Sequence, residues 1–139
     1  MRKLLLALSI PLAFLSCSKS NDDSSNNSNG SSNGDFHPPS WIQGTWAFSN
    51  GNYNPTKLFK FTVNDFISIS QNTETSWQAL LNQIKTTGGT ASVTETITAT
   101  KYDFIINYSA QSTNYSFTKI DNNSIKYNYQ TPITLIRVQ

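Results

Sequence analysis

The amino-acid sequence predicts an all-β domain of eight antiparallel strands with one short helix. From Trp41 onward, short runs rich in Thr, Ile, Tyr, Phe and Val are separated by Asn, Asp, Ser and Gly, the composition of strands and turns. Apolar residues recur at every second position from Tyr102 to Tyr108, and again at Ile125, Tyr127 and Tyr129, so each run presents one face to an interior. A single segment breaks that period. In Thr75–Lys85, the apolar residues Trp77, Leu80, Leu81 and Ile84 fall at i, i+3, i+4 and i+7, which is one face of a helix.

The eight strands are placed at about 45–50, 57–62, 66–70, 91–98, 102–109, 113–120, 124–130 and 133–138. Side-chain parity fixes the expected hairpins, because an odd loop keeps the apolar residues of both arms on one face. Val63-Asn64-Asp65 as a loop places Phe59 and Phe61 with Ile67 and Ile69. Asp121-Asn122-Asn123 places Phe117 opposite Tyr127. The helix, expected at about 75–85, starts on a capping box of Thr75 and Gln78 and stops at Gly88-Gly89. Its apolar stripe is expected to cover one end of the sheet.

The first forty residues have a different character. Arg2 and Lys3 precede a nearly unbroken apolar run from Leu4 to Leu15, followed by Ser16 and the sole cysteine, Cys17. This is the layout of a secretory signal peptide over residues 1–16; the run is about half the ~20 residues that a spanning helix needs. Residues 17–40 read as a tether. In its 21–34 portion, twelve of fourteen residues are Asn, Ser or Gly, too polar to bury a face and expected to be disordered. As a coil, 18–40 would reach roughly 25 Å. The folded domain is then expected over 41–139.

Charge excludes one class of function. Without Arg2 and Lys3, the ten basic residues fall to eight, equal to the eight acidic ones. A neutral chain with scattered lysines has no footprint for nucleic acid.

Phe14-Leu15-Ser16-Cys17 resembles the lipobox of bacterial lipoproteins, in which lipid is attached to the cysteine and cleavage leaves it as the N-terminus. That resemblance implies lipidation of Cys17 and a membrane partner. Asp22 and Asp23, shortly after Cys17, resemble the acidic surface-export signal of Bacteroidetes lipoproteins, and equally fit two solvated charges in a linker. With its thiol lipidated, the domain has no disulfide and stands on its core.

Eight strands in 99 residues could close as an up-and-down barrel or stack as a sandwich, and closure removes exposed edges. The opening Trp41-Ile42-Gln43-Gly44-Thr45-Trp46 resembles the G-x-W signature of the calycin superfamily, and more closely the small lipocalin-like lipoproteins of Bacteroidetes. The chain is shorter than typical lipocalins, and their other signature regions are not evident in it. The resemblance implies an eight-stranded lipocalin-like barrel in which Trp46 closes the floor, Gly44 belongs to the signature, and Arg137 lies across the Trp46 ring through a cation–π contact.

Candidate site residues are few. His37, the only histidine, falls in the tether and reads as a solvated residue, so neither a metal site nor a catalytic triad is expected around it. No cofactor is expected, and no catalytic residue. Glu95 shares the apolar face of Ala91, Val93 and Ile97 and is a candidate to contact a ligand; a lysine partner near the rim or plain solvent exposure would explain it as well. Asp103 is expected to point to the other face, away from Glu95. Tyr102 and Tyr127 are further ligand candidates, within a set of tyrosines that forms either a stacking surface or a core whose hydroxyls reach the ends of the sheet. A barrel this short and this aromatic is expected to be filled, leaving a shallow pocket at its mouth beside the helix. The function expected is a non-enzymatic, lipid-anchored binding module of the outer membrane, facing the cell exterior, that takes a small ligand at the mouth or a surface protein. The alternative is a lipid-anchored inhibitor of an enzyme such as a lysozyme or a protease.

Overall fold

The computed structural model describes residues 35–49, 51 and 54–139. The expected signal peptide, Cys17 and the stretch of tether up to residue 34 lie outside the described residues.

The domain is all-β and antiparallel, with nine strands in place of the eight expected. They are β1 (Gly44–Phe48), β2 (Thr56–Phe61), β3 (Phe66–Ser70), β4 (Thr73–Ser76), β5 (Ala91–Ile97), β6 (Lys101–Tyr108), β7 (Gln111–Lys119), β8 (Ser124–Tyr127) and β9 (Ile133–Val138). One helix, α1 (Trp77–Thr86), separates β4 from β5. The sheet runs β4-β3-β2-β1-β9-β8-β7-β6-β5. Consecutive strands pair except β4 and β5, which are the two edges, and β1 pairs with β9. The expected closed barrel is therefore an up-and-down sheet curled as a half-barrel, with α1 lying between its two edges.

The extra strand is β4, Thr73-Glu74-Thr75-Ser76. It has no apolar alternation, and it pairs with β3 along four positions through Gln71 and Asn72, both at positive φ. Asn is among the residues that take this left-handed region most readily.

The β2–β3 hairpin differs from expectation in register. Its loop spans four residues, Thr62–Asp65, closed by Thr62 N–H donating to Asp65 O at 3.0 Å. Phe61 then faces Phe66, and Phe59 faces Ser68. Ile67 and Ile69 turn to the opposite face, beside Lys60 and Glu74. The interior gains a Phe66 ring that stacks on Phe61 at 5.2 Å. Asp65 is held outside the strand by the helix: its carboxylate accepts Gln78 N–H at 2.9 Å and the Ser76 hydroxyl at 2.6 Å. The other parity expectation matches the structure, with Phe117 opposite Tyr127.

The helix forms where its period places it, with one change in its cap. Ser76, not Thr75, is the N-cap, accepting Ala79 N–H at 3.1 Å. Gly88 takes φ +84°, and Gly89 N–H returns to Ile84 O at 2.9 Å, ending the helix. Leu81, from the apolar stripe, is fully buried.

The interior is a continuous network of rings. Phe59 and Phe61 of β2 meet Phe117 of β7 edge-on at 5.4 and 5.2 Å, and Phe66 of β3 meets Phe104 of β6 at 5.0 Å. Edge-to-face rings at these separations are favourable beyond the area they bury.

Residues ahead of the expected boundary at Trp41 also pack on the sheet. Phe36 is completely buried, in contact with Phe66 at 6.2 Å and Phe104 at 5.7 Å. Pro38 is buried as well. Burying one phenylalanine contributes about 3 kcal/mol, enough to order the few residues around it. Asp35 joins α1, with Lys85 Nζ at 2.6 Å and Gln78 Oε1 accepting its N–H at 2.7 Å. On the other side, His37 joins β5. Residues 35–38 thus form a strap between helix and sheet edge.

Candidate functional site

The strap creates the first polar cluster. Glu95 projects inward from β5, opposite Phe104, and its side chain is only 10% exposed. Its Oε1 accepts the Tyr102 hydroxyl at 2.5 Å and the His37 backbone N–H at 2.8 Å; its Oε2 lies 2.8 Å from His37 Nδ1. Three donors from its own chain thus occupy the carboxylate. His37 is not a solvated tether residue, and the lysine expected as one partner for Glu95 is replaced by a histidine from the strap. Tyr102 is completely buried. Burial first, and the Glu95 charge second, hold its hydroxyl well above the usual phenol range. Glu95 and Tyr102 are therefore brought together, but inside the wall. Asp103 pairs with Thr96 and Ser116, on the face opposite Glu95, as parity requires. The described residues contain no group of three or more His, Cys, Asp or Glu side chains placed to hold a metal.

The second cluster sits at the base of β1. Arg137 of β9 is paired with Trp46, and its guanidinium carbon lies 4.4 Å from the ring centroid. The same guanidinium donates to three backbone carbonyls: Trp41 O at 2.9 Å, Asn122 O at 3.0 Å and Gln43 O. Trp46 Nε1 donates to Ile42 O at 2.6 Å. Gly44 has φ +123°, and a Cβ there would stand 2.5 Å from Arg137 Nη1. The glycine of the G-x-W sequence is thus required twice, by its backbone angle and by the arginine. The contact that the resemblance implied between Trp46 and Arg137 is present. It is structural: one cation ties the entry turn, the β7–β8 loop and the last strand together.

The third cluster is aromatic and partly open. Tyr127 of β8 packs on Phe117 at 5.1 Å and Phe59 at 5.0 Å, and Tyr129 stacks on Tyr127 at 5.9 Å with the rings 12° apart. Tyr115 lies 6.3 Å from Tyr127. Trp77 of α1 meets Tyr108 of β6 at 5.7 Å and Phe66 at 6.5 Å. These rings form a rim along the concave side of the sheet. Burial pushes the Tyr115 hydroxyl up to about 12, and the neighbouring phenols of Tyr127, Tyr108 and Tyr129 add to the shift. Tyr127 is raised in the same direction, by burial and then by Tyr129. Tyr129 is 58% exposed. Where β5 starts and β6 ends, Thr90, Ala91, Ser92, Asn107, Tyr108 and Ser109 line a depression of about 170 Å³, with Ser92 and Asn107 on the face of the sheet opposite Tyr108. That is below the roughly 300 Å³ at which pockets engulf a drug-sized molecule.

No family model, curated protein or solved structure matches this chain.

Of the candidates drawn from the sequence, Tyr127 is half-buried beside the exposed Tyr129, whereas Glu95 and Tyr102 bond to each other within the wall. Sequence reasoning missed the strap, whose signal was one phenylalanine directly before His37 and Pro38-Pro39. It placed Tyr108 and Tyr129 on alternating apolar faces, but missed the packing of Tyr115 on Tyr127 and of Trp77 on Tyr108.

Proposed function

We propose that this chain is a lipoprotein of the outer membrane, anchored through lipid on Cys17, displayed at the cell exterior, and carrying a lipocalin-like β domain that binds without catalysing a reaction. One observation carries the binding mode: the space a lipocalin leaves for its ligand is occupied here by Phe36, Phe59, Phe61, Phe66, Phe104 and Phe117. Recognition then falls to the partly open rim of Trp77, Tyr108, Tyr115, Tyr127 and Tyr129. The anchoring half of the reading is supported by the basic start, the short apolar run, the Ser16-Cys17 junction and the Asn/Ser/Gly-rich stretch that follows. Kinship with lipocalins is supported by Gly44, Trp46 and Arg137 and by the up-and-down strand order.

The test is fractionation with mass spectrometry. The expected product begins at an acylated Cys17, sediments with the outer membrane and is removed by protease applied to intact cells. Cys17→Ala should release it from that fraction. An unmodified cysteine in a freely soluble product would overturn the anchoring reading.

A further inference from the structure

One of the rings that fill the concave interior does not belong to the sheet. Phe59 and Phe61 lie on β2, Phe66 on β3, Phe104 on β6 and Phe117 on β7, whereas Phe36 is brought in by the strap. Its ring is completely buried, 6.2 Å from Phe66 and 5.7 Å from Phe104, edge-on to the latter at 89°. The strap is held by side chains. Asp35 N–H donates to Gln78 Oε1 at 2.7 Å, and its carboxylate meets Lys85 Nζ at 2.6 Å. His37 meets both oxygens of Glu95, and Pro38 O accepts Gln43 Nε2 at 2.9 Å. Among the described residues, no backbone–backbone hydrogen bond joins residues 35–38 to a strand or to the helix. The strap can therefore leave without breaking a rung of the sheet, and local openings of that kind cost less than global unfolding.

Its departure would vacate a specific space. Between Phe66 and Phe104 lies the room that holds one phenyl ring. Beside it, Glu95 would lose the two donors of His37 and keep only the Tyr102 hydroxyl. A carboxylate whose side chain is 10% exposed is costly to leave so poorly compensated, so an occupant must bring a cation together with its ring. A neutral hydrocarbon supplies no donor, and an acid sets like charge against Glu95. The strap also gives the spacing: Cβ, Cα and the carbonyl carbon of Phe36 separate its ring from the His37 nitrogen that reaches Glu95 Oε1 at 2.8 Å.

We infer that Phe36 and His37 are the chain's own occupant of a site for an arylalkylamine, a small molecule carrying a phenyl ring and an ammonium group at that spacing. The ring enters between Phe66 and Phe104, the ammonium pairs with Glu95, and the strap is displaced. This site is separate from the rim, and the inference rests on the reading of the domain as a binding module. Because the strap competes from within the same chain, the apparent affinity is lowered by the fraction of molecules in which it is closed.

The experiment uses the full-length protein in detergent with 3-phenylpropylamine, set against 3-phenylpropanol and 4-phenylbutyrate, which keep the ring and change the charge. Calorimetry reads binding, and amide hydrogen exchange reads the strap. The amine is expected to bind and to speed exchange at Phe36 and His37 while β6 and β7 stay protected. The alcohol and the acid should bind roughly tenfold more weakly or worse, and Glu95→Gln should bring the amine down to the level of the alcohol. Lys85→Ala, which removes the cation bonded to Asp35 and leaves the slot intact, should tighten amine binding. Phe36→Ala should tighten it further, because the competing ring is gone. Equal binding of amine and alcohol, tightening in neither variant, or no amine binding by the parent and Lys85→Ala would overturn the inference. An amine that binds without speeding exchange at Phe36 and His37 sits elsewhere, which also overturns it and leaves the binding-module reading standing. A soluble product with free Cys17 would sink the anchoring and leave the slot intact.

Discussion

His37 and Glu95, 58 residues apart in sequence, meet in a two-pronged contact: the histidine backbone N–H reaches one carboxylate oxygen at 2.8 Å, and the ring nitrogen Nδ1 reaches the other at 2.8 Å. The first residues of the domain are thereby fastened to the edge strand of its sheet, and the Tyr102 hydroxyl behind that strand is given its acceptor.

Removing the carboxylate strands that hydroxyl. Glu95→Ala should cost about 1–3 kcal/mol, the penalty for a buried polar group left without a partner, measured as a lower midpoint in urea with an unchanged slope. Tyr102→Phe in the same background removes the orphan and should recover part of the loss. Equal stability of Glu95→Ala and the parent would show that the cluster holds nothing in place.

The strap is expected to belong to the folding unit. Phe36→Ala should cost about 3–5 kcal/mol, and a chain shortened to begin at Trp41 should melt well below the parent. Thermal unfolding followed by circular dichroism decides this. Matching melting temperatures would place the domain start at Trp41 after all.

Gly44 and Arg137 should behave as a coupled pair. Gly44→Ala is strained by its φ of +123° and by the Arg137 Nη1 atom, 2.5 Å from the new Cβ, and should cost about 1–3 kcal/mol. Introduced on top of Arg137→Ala, the same change should cost less, because the steric part has gone. A double-mutant cycle in urea reads this coupling. Strict additivity would show that the arginine does not press on the glycine.

Alkaline stability should report the buried phenols. The folded state raises Tyr115 from 10.0 to about 12 and raises Tyr102 and Tyr127 as well. Below about pH 10, folded and unfolded chains both hold these protons, and the stabilisation is complete. Above it, the unfolded chain releases protons that the folded one keeps, so stability falls toward pH 12. Phenolate absorbance followed alongside circular dichroism should show these tyrosines ionising only as the fold is lost. Tyr115→Phe should make the fall in stability shallower. An unaltered slope would assign the alkaline transition to other groups.

The elements legible in the sequence were those whose burial repeats. The stripe Trp77, Leu80, Leu81 and Ile84 marks the helix, and the alternation of Tyr102, Phe104, Ile106 and Tyr108 marks β6. β4 was illegible because Thr73-Glu74-Thr75-Ser76 is an edge strand whose stability comes from its β3 partner and the turn, not from a buried face. Phe66 and Ile67 are both apolar, so pattern alone does not say which turns inward; the helix decides it by claiming Asp65. Phe36 was overlooked because one apolar residue after a polar stretch has no period to reveal it. For the site, the tyrosines were visible and their convergence was not, since three strands and a helix bring them together.

The pairing of β1 with β9 has a kinetic consequence. Arg137, two residues from the C-terminus, bonds the carbonyl of Trp41 across 96 positions, and no shorter fragment contains both. Contacts of such long range form slowly and late. The local hairpins of the meander need no such wait, so the seam between its two halves is the step that the last strand must complete.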